Sequence, residues 1–357
     1  MRVGLDYWTA ATHAPGVGRY VRELVRALAR RADAPELALL EVGPGERGVP
    51  AEELGLEPAP RGWTRLAANL PRGALTALGG LGLGADRLLG GVDLFHAVDD
   101  RLPPLARAPR VLARAEPPRD DARVRRPDAL IVFSEAARAP FGEVWGVPPA
   151  DVHVLPVGCD HWVRAAGVRD DLTGPARVVV LGRTDAARGA RVVFEACELL
   201  LEGGLALELL WCGRAGDQAD DVRRLRWRSR HAARLGWSED AGERELAQRV
   251  READVLVHLT EREWTPVTPL EGLAAGAALV CSTVPTFVEA LGSVPTWVAT
   301  PPNELRAGDL ALALEGSLAL GRDPGARAAR RAHAAPYTWD RHAALTIDAW
   351  TRILGAR

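Results

Sequence analysis

READVLVHLTEREWTPVTPLEGLAAGAALVCSTVPTFVEALG, Arg251 to Gly292, is the stretch whose reading decides the fold. Val255 to Leu259 reads as a buried strand. A Pro-rich loop follows, then a short helix from about Pro269 to Ala275 and a second strand from Ala278 to Cys281, with Pro or Gly at each junction. Two carboxylates bracket the loop. Glu263 leaves the end of the strand, and Glu271, with seven residues between the two, sits in the first turns of the helix. In an open α/β sheet ligands bind outside the carboxyl ends of the strands, where a helix N-terminus offers free N–H groups to an anion. The segment therefore reads as a site.

Upstream, Arg177-Val-Val-Val-Leu181 is an unbroken β-branched run, the mark of a strand buried on both faces. Its loop, Gly182-Arg183-Thr-Asp-Ala-Ala-Arg188-Gly189, precedes a helix with apolar positions 192, 193, 196, 199 and 200. Leu205 to Cys212 is a further strand, and Glu243 to Glu252 a helix leading into the opening stretch. Between them Arg223 to His231 is a basic run carrying one Trp. Such a run can meet anionic headgroups or nucleic acid, but is more often a solvated helix face. Residues 161–175 read as a polar hinge linker, which sets an N-terminal domain at 1–160 and a C-terminal domain at 176–338. Downstream, helices are expected near Gly308–Leu320, Pro324–Ala335 and Trp339–Leu354, the last within a terminal segment 339–357.

The N-terminal domain opens with a strand, Arg2 to Asp6, a loop from Tyr7 to Pro15, and a helix with apolar positions 21, 24, 25 and 28. Gly16 and Gly18 stand at that helix's N-terminus. Two readings apply: glycines that let the backbone approach a phosphate, or glycines that serve only a tight turn. A strand follows at Leu37–Val42, and one or two helices are expected within Trp63–Leu88. His96 stands at the end of the next strand, as a structural histidine or facing a cleft.

Composition narrows the class. The chain has 357 residues, enough for two cores, a net charge of −2 that argues against a nucleic-acid partner, and no apolar run of membrane-spanning length. The N-terminus enters a strand directly, so no signal peptide is expected and the chain reads as cytoplasmic, with peripheral attachment to the inner face of the membrane left open. Its four cysteines lie far apart in apolar segments and read as buried reduced thiols, without a metal site. All 45 basic residues are arginine, which excludes Schiff-base, pyridoxal-phosphate and Walker-A chemistry.

The segment Glu263-Trp-Thr-Pro-Val-Thr-Pro-Leu-Glu271 and its continuation to Gly276 and Ser282 resemble the E-x7-E motif of retaining GT-B glycosyltransferases, in particular glycosyltransferase family 4 (the group 1 type). Gly182-Arg183 to Arg188-Gly189 is similar to the family's G-R-x4-K-G loop, with Arg where Lys is usual. Gly16-Val-Gly18-Arg-Tyr resembles its G-I-G-R-Y segment, Val92-Asp-Leu-Phe-His96 with Leu102-Pro103-Pro104 its D-L-F-H…L-P-P, and Tyr337-Thr-Trp339-Asp its F-S-W-E. Two features depart from the pattern. Ala115 and Glu116 stand where relatives carry His-Asp, and Trp264-Thr265-Pro266 replaces Gly-Phe-Gly.

The resemblance implies an α/β chain of the GT-B fold: two Rossmann-like parallel-sheet domains facing a central cleft, with the C-terminal helix crossing back to the first. It implies a retaining transferase moving a sugar from a UDP- or GDP-linked donor to a glycan or lipid-linked acceptor, with no cofactor and no metal. It places Glu263 and His96 at the reacting sugar, Arg183 and Arg188 on the diphosphate, Glu271 on the ribose, and Gly16, Gly18, Thr265, Pro266 and Val267 against the donor. Two other readings stay open: a GT-B protein that binds nucleotide or glycan without transfer, and a different GT-B enzyme such as a nucleotide-sugar epimerase.

Overall fold

In a computed structural model, residues 1–12, 16–43, 62–69, 74, 77, 81, 83–98, 104–114 and 126–356 are described. The chain forms two units: Met1–Val157 with Trp339–Arg357, and Gly158–Thr338. Among the described residues no helix is long and apolar enough to cross a membrane.

The first unit is built on a seven-stranded sheet of order β3-β2-β1-β4-β5-β6-β7, every pair parallel. Its strands are β1 (Arg2–Asp6), β2 (Glu36–Val42), β3 (Thr64–Ala68), β4 (Leu94–Ala97), β5 (Arg110–Ala113), β6 (Ala129–Val132) and β7 (Val152–Val154). Central strands such as β4 and β6 are buried throughout, as parallel strands covered on two faces must be. The order reverses between β1 and β4, and crevices at such reversals are where open α/β sheets bind ligands.

Helix Trp339–Gly355 belongs to this unit and packs against helix Val17–Ala29. It buries Trp339, His342, Thr346, Trp350 and Ile353, three to four residues apart along one face. Each large apolar side chain so enclosed stabilises by roughly 1.5–3 kcal/mol.

Two expectations are corrected here. Within Trp63–Leu88, where one or two helices are expected, Ala85–Leu88 is helical but Thr64–Ala68 is strand β3; it lies at the sheet edge, partly exposed, and so lacks the apolar periodicity that would reveal it. Residues 161–166, read as linker, form a helix, and the segment after it is tied to the second unit, with Arg169 on Glu252 at 2.7 Å and Asp170 on Arg331 at 2.7 Å. Ala115, Glu116, Leu102 and Pro103 lie outside the described residues.

The second unit has six parallel strands in the order β10-β9-β8-β11-β12-β13. They are β8 (Ala176–Leu181), β9 (Leu207–Cys212), β10 (Leu235–Ser238), β11 (Val255–His258), β12 (Ala278–Ser282) and β13 (Thr296–Val298). Numbered within the unit this is 3-2-1-4-5-6, the doubly wound order, and its reversal lies between β8 and β11. Val178, Val180, Trp211, Val255, Val257 and Val280 fill one layer of core; Val179, Leu256, Leu270, Leu279 and Phe287 fill the other. All four cysteines are free and buried, and burial raises each thiol, Cys197 to about 12 and Cys212 to about 11.

The two turns after β8 and β9 close on each other. Trp211 Nε1 donates to the Gly182 carbonyl at 2.7 Å, Gly216 N to Thr184 Oγ1 at 2.9 Å, and Asp217 N to Asp185 Oδ1 at 3.1 Å. Gly213 has φ 152°, and a Cβ there would lie 2.1 Å from the Gly182 carbonyl oxygen. Gly213→Ala is therefore expected to lower stability by about 1–3 kcal/mol, measured by urea unfolding, because the backbone atom it meets cannot swing away.

Candidate functional site

The reversal between β8 and β11 gathers the charged residues singled out from the sequence. β8 ends in Gly182, and the turn carries Arg183 and Arg188; β11 ends at His258, and the loop after it carries Glu263. Arg188 Nη1 lies 2.9 Å from Glu263 Oε2, and His258 Nε2 lies 2.9 Å from the same oxygen. The Glu263 backbone is pinned as well, its carbonyl accepting from Thr286 Oγ1 at 3.1 Å. Burial pushes the Glu263 carboxyl up, but the neighbouring His258 and Arg188 more than offset this and hold it down at about 2. Glu263 is thus an anion at every ordinary pH.

Arg183 differs. Its side chain is 61 % exposed and touches Asp185 Oδ2 at 3.2 Å, so it stands at the mouth of the turn as a solvated cation. Such a group can swing to an arriving anion at little cost.

Helix Val267–Ala275 begins beside Glu263, with Pro266 as its N-cap, whose carbonyl accepts from Leu270 N at 3.0 Å. Pro266 has no N–H to offer a ligand. Next to it the Thr265 Oγ1 is buried with no hydrogen-bond partner among the described residues, so a free hydroxyl stands beside the proline. Val267 opens the helix, partly exposed. Glu271, on its second turn, is buried, and His161 Nε2 stands 3.3 Å from its Oε1. Gly276 ends the helix in the left-handed conformation at φ 84°.

A cavity of about 450 Å³ opens at the ends of β11, β12 and β13, lined by Thr260, Arg262, Ser282, Thr283, Thr300 and Asn303 among others. Thr260 N donates to Ser282 Oγ at 3.0 Å, which joins the first two strand ends. The lining is hydroxyl-rich, and the loop that forms it continues directly into Glu263.

Sequence reasoning missed His258 and His161. His258 had a signal, a histidine ending the otherwise apolar run Val255-Leu256-Val257. His161 had none, because its partner Glu271 is distant in the chain. The basic run forms helix Ala219–Arg228, in which Arg223 pairs with Asp220 and Glu239 and lies over Trp237, while Trp227 is exposed. It is a solvated helix face.

In the first unit His96, which the resemblance implies stands at the reacting sugar, is an interior residue, as the structural reading has it. Its side chain is fully buried, and its Nδ1 accepts from Trp350 Nε1 at 3.1 Å. Burial, with His342 nearby, pushes it down to about 3, so it stays neutral. It ends β4, but its ring lies against Trp350 of the last helix. Gly16 caps helix Val17–Ala29 at φ 70°, with open space where a Cβ would stand. Gly18 is enclosed: a Cβ there would lie 2.4 Å from the Thr9 carbonyl oxygen, so its glycine serves packing against the preceding turn.

Residues 175–317, which span β8 to β13 and the helix after it, match the family described as Glycosyl transferases group 1. Glycogen synthase of Mycobacterium tuberculosis (strains CDC 1551 and H37Rv) is 30 % identical over 236 residues, 64 % of this chain and 55 % of the relative. The chain thus spans about half the length of the curated relatives it matches.

Among solved structures, sucrose-phosphate synthase from Thermosynechococcus elongatus superposes with TM-score 0.71 at 15 % identity, covering 100 % of each chain. A glycosyltransferase from Rickettsia africae gives 0.72 at 14 % identity, covering 99 % of this chain and 98 % of its own. Anabaena HepE in complex with UDP-glucose gives 0.68 at 13 %, covering 98 % and 99 %. The fold is GT-B, two Rossmann-like parallel-sheet units.

Proposed function

We propose that the chain is a retaining glycosyltransferase that moves a sugar from a UDP- or GDP-linked donor to a glycan or lipid-linked acceptor, without a bound metal. The observation that carries this reading is the meeting of Arg188 and Glu263 at the reversal of the second sheet, with Glu271 on the adjoining helix, inside the segment that matches the glycosyltransferase family. Neighbours of the same fold include one in complex with UDP-glucose. In this reading Glu271 accepts hydrogen bonds from the ribose hydroxyls. Arg183 and Arg188 neutralise the diphosphate as the bond from the sugar's anomeric carbon to phosphate oxygen breaks and the electron pair leaves with the phosphate. The acceptor hydroxyl attacks the same carbon from the face the diphosphate leaves, and its proton passes to the departing phosphate oxygen, the nearest base on that face. Glu263 presents its Oε1 to the sugar hydroxyls, since its Oε2 is engaged by Arg188 and His258. Thr265 Oγ1 supplies the donor that Pro266 lacks.

A second reading, a nucleotide- or glycan-binding protein without transfer, is favoured by one observation: His96, the residue the family resemblance would place at the reacting sugar, is sealed in the interior. One experiment separates them. In a thermal-shift panel of UDP, GDP and ADP with their common sugar conjugates, one nucleotide is expected to raise the melting temperature and its sugar conjugate to raise it further. A ligand at about a hundred times its Kd adds about 2.7 kcal/mol of stability, readily seen. If the conjugate is then cleaved only when an acceptor glycan is present, transfer is established. Binding without cleavage marks the second reading, and no shift with any nucleotide ends the first.

A further inference from the structure

Three polar groups converge on one point behind the turn of Arg188. Arg188 Nη1 lies 2.7 Å from His258 Nε2 and 2.9 Å from Glu263 Oε2, and His258 Nε2 is itself 2.9 Å from that oxygen. These three approaches cannot all be hydrogen bonds. A guanidinium nitrogen only donates. Were His258 Nε2 to accept from it, a bare ring nitrogen would face the carboxylate, and the proton on Nδ1 would be buried with no acceptor, because Nδ1 has no hydrogen-bond partner among the described residues. With the proton on Nε2, the ring donates to Glu263 Oε2 and Arg188 donates to the same oxygen. The ring is 2 % exposed and lies 5.4 Å from the Phe287 ring, surroundings in which burial disfavours a charged imidazole. His258 is therefore a neutral donor to a carboxylate anion.

We propose that His258 is the positioning residue for Glu263: its Nε2–H holds the carboxylate in place, so that Arg188 can move to an arriving diphosphate without leaving a partly buried carboxylate bare. The proposal rests on the reading of this site as one for a nucleotide sugar. In the unliganded protein Arg188 is engaged by Glu263, and a diphosphate must compete for it. Removing a paired cation from a partly buried carboxylate is costly unless another donor stays behind. With Leu at position 258, Arg188 would be the sole donor to Oε2 and would remain there. Diphosphate binding should weaken, whereas binding of the nucleoside alone should not.

The test is a set of five proteins: the natural chain, His258→Leu, His258→Gln, Glu263→Gln and the double variant Glu263→Gln/His258→Leu. Each is titrated calorimetrically with UDP, GDP and ADP and with the matching free nucleosides. For the diphosphate that the natural chain binds, His258→Leu is expected to lower affinity about tenfold and to leave the nucleoside unchanged. His258→Gln, whose amide nitrogen can donate in place of Nε2–H, should stay within about twofold. In the Glu263→Gln background His258→Leu should cost nothing, because no carboxylate charge is left to hold. Equal losses on diphosphate and nucleoside, or the same loss in the Glu263→Gln background, overturn the proposal. The ring proton is read separately, by nitrogen NMR of the natural chain at about pH 7.5, above the ordinary imidazole range. His258 should there be the neutral Nε2–H tautomer, and a protonated ring or an Nδ1–H tautomer also overturns it. If none of the three diphosphates binds the natural chain, the donor-site reading fails, while the spectra still decide His258's hydrogen bond.

Discussion

Glu263→Gln is expected to reduce transfer by about 10²–10³-fold, read as the release of nucleoside diphosphate from the donor sugar, while the Kd of the nucleoside diphosphate changes by no more than a few-fold. The substitution keeps the shape of the side chain and removes its charge. In the natural chain that charge is secured by Arg188 and His258, which hold the carboxyl at about 2. The sign of the pH dependence follows. A carboxylate whose folded value lies below its ordinary value near 4.5 contributes stability that is complete above about 4.5 and is lost as the pH falls towards 2. Across the neutral range Glu263 does not titrate, so it acts as a fixed anion and hydrogen-bond acceptor, not as a proton donor. As the sugar develops positive character at its anomeric carbon, a fixed anion nearby stabilises the transition state more than the ground state, and this is why the loss should fall on turnover. Unchanged turnover in Glu263→Gln would remove this residue from the chemistry.

Glu271→Ala should act on binding instead. Glu271 is buried on the second turn of helix Val267–Ala275, and the ribose hydroxyls would donate to its carboxylate. Hydrogen bonds to a charged group contribute about 1.5–3 kcal/mol each, so affinity should fall roughly 10- to 100-fold. The loss should be the same for the free nucleoside, the diphosphate and the nucleotide sugar, because the ribose is common to all three. Calorimetry checks this directly. A loss confined to the sugar conjugate would move Glu271 to the sugar, and no loss at all would end its assignment. The substitution also leaves His161 without the carboxylate 3.3 Å from its Nε2, so a circular-dichroism melt should accompany the titration.

What could be read from the sequence was what lies in short runs with their own punctuation. The unbroken run Val178-Val179-Val180-Leu181 announced a strand buried on both faces, and Pro and Gly marked the joints from Glu263 to Gly276, so strand, loop, helix and strand followed in order. The periodic face Trp339, His342, Thr346, Trp350 was likewise legible as a helix. Edge strand β3 was not, since half-exposed residues at a sheet margin carry no pattern of burial. Nor was the partner of any long-range contact. His96 resembled a cleft residue because it ends a strand, and only the placement of Trp350, 254 residues away, shows its Nδ1 already occupied. His161 met Glu271 from a segment that read as linker, for its polar residues are those that bind the second unit.

The placement of the last helix has a consequence for how the molecule comes into being. The second unit is one uninterrupted run, Gly158–Thr338, and its two ends are joined by the bond from Cys159 N to the Tyr337 carbonyl at 2.9 Å. The first unit is split, and Trp339 and Trp350, which complete its interior against Tyr20 and His96, are the last part of it to leave the ribosome. During synthesis the second unit therefore has every residue of its core in hand while the first, begun earlier, still waits with an open face for helix Trp339–Gly355.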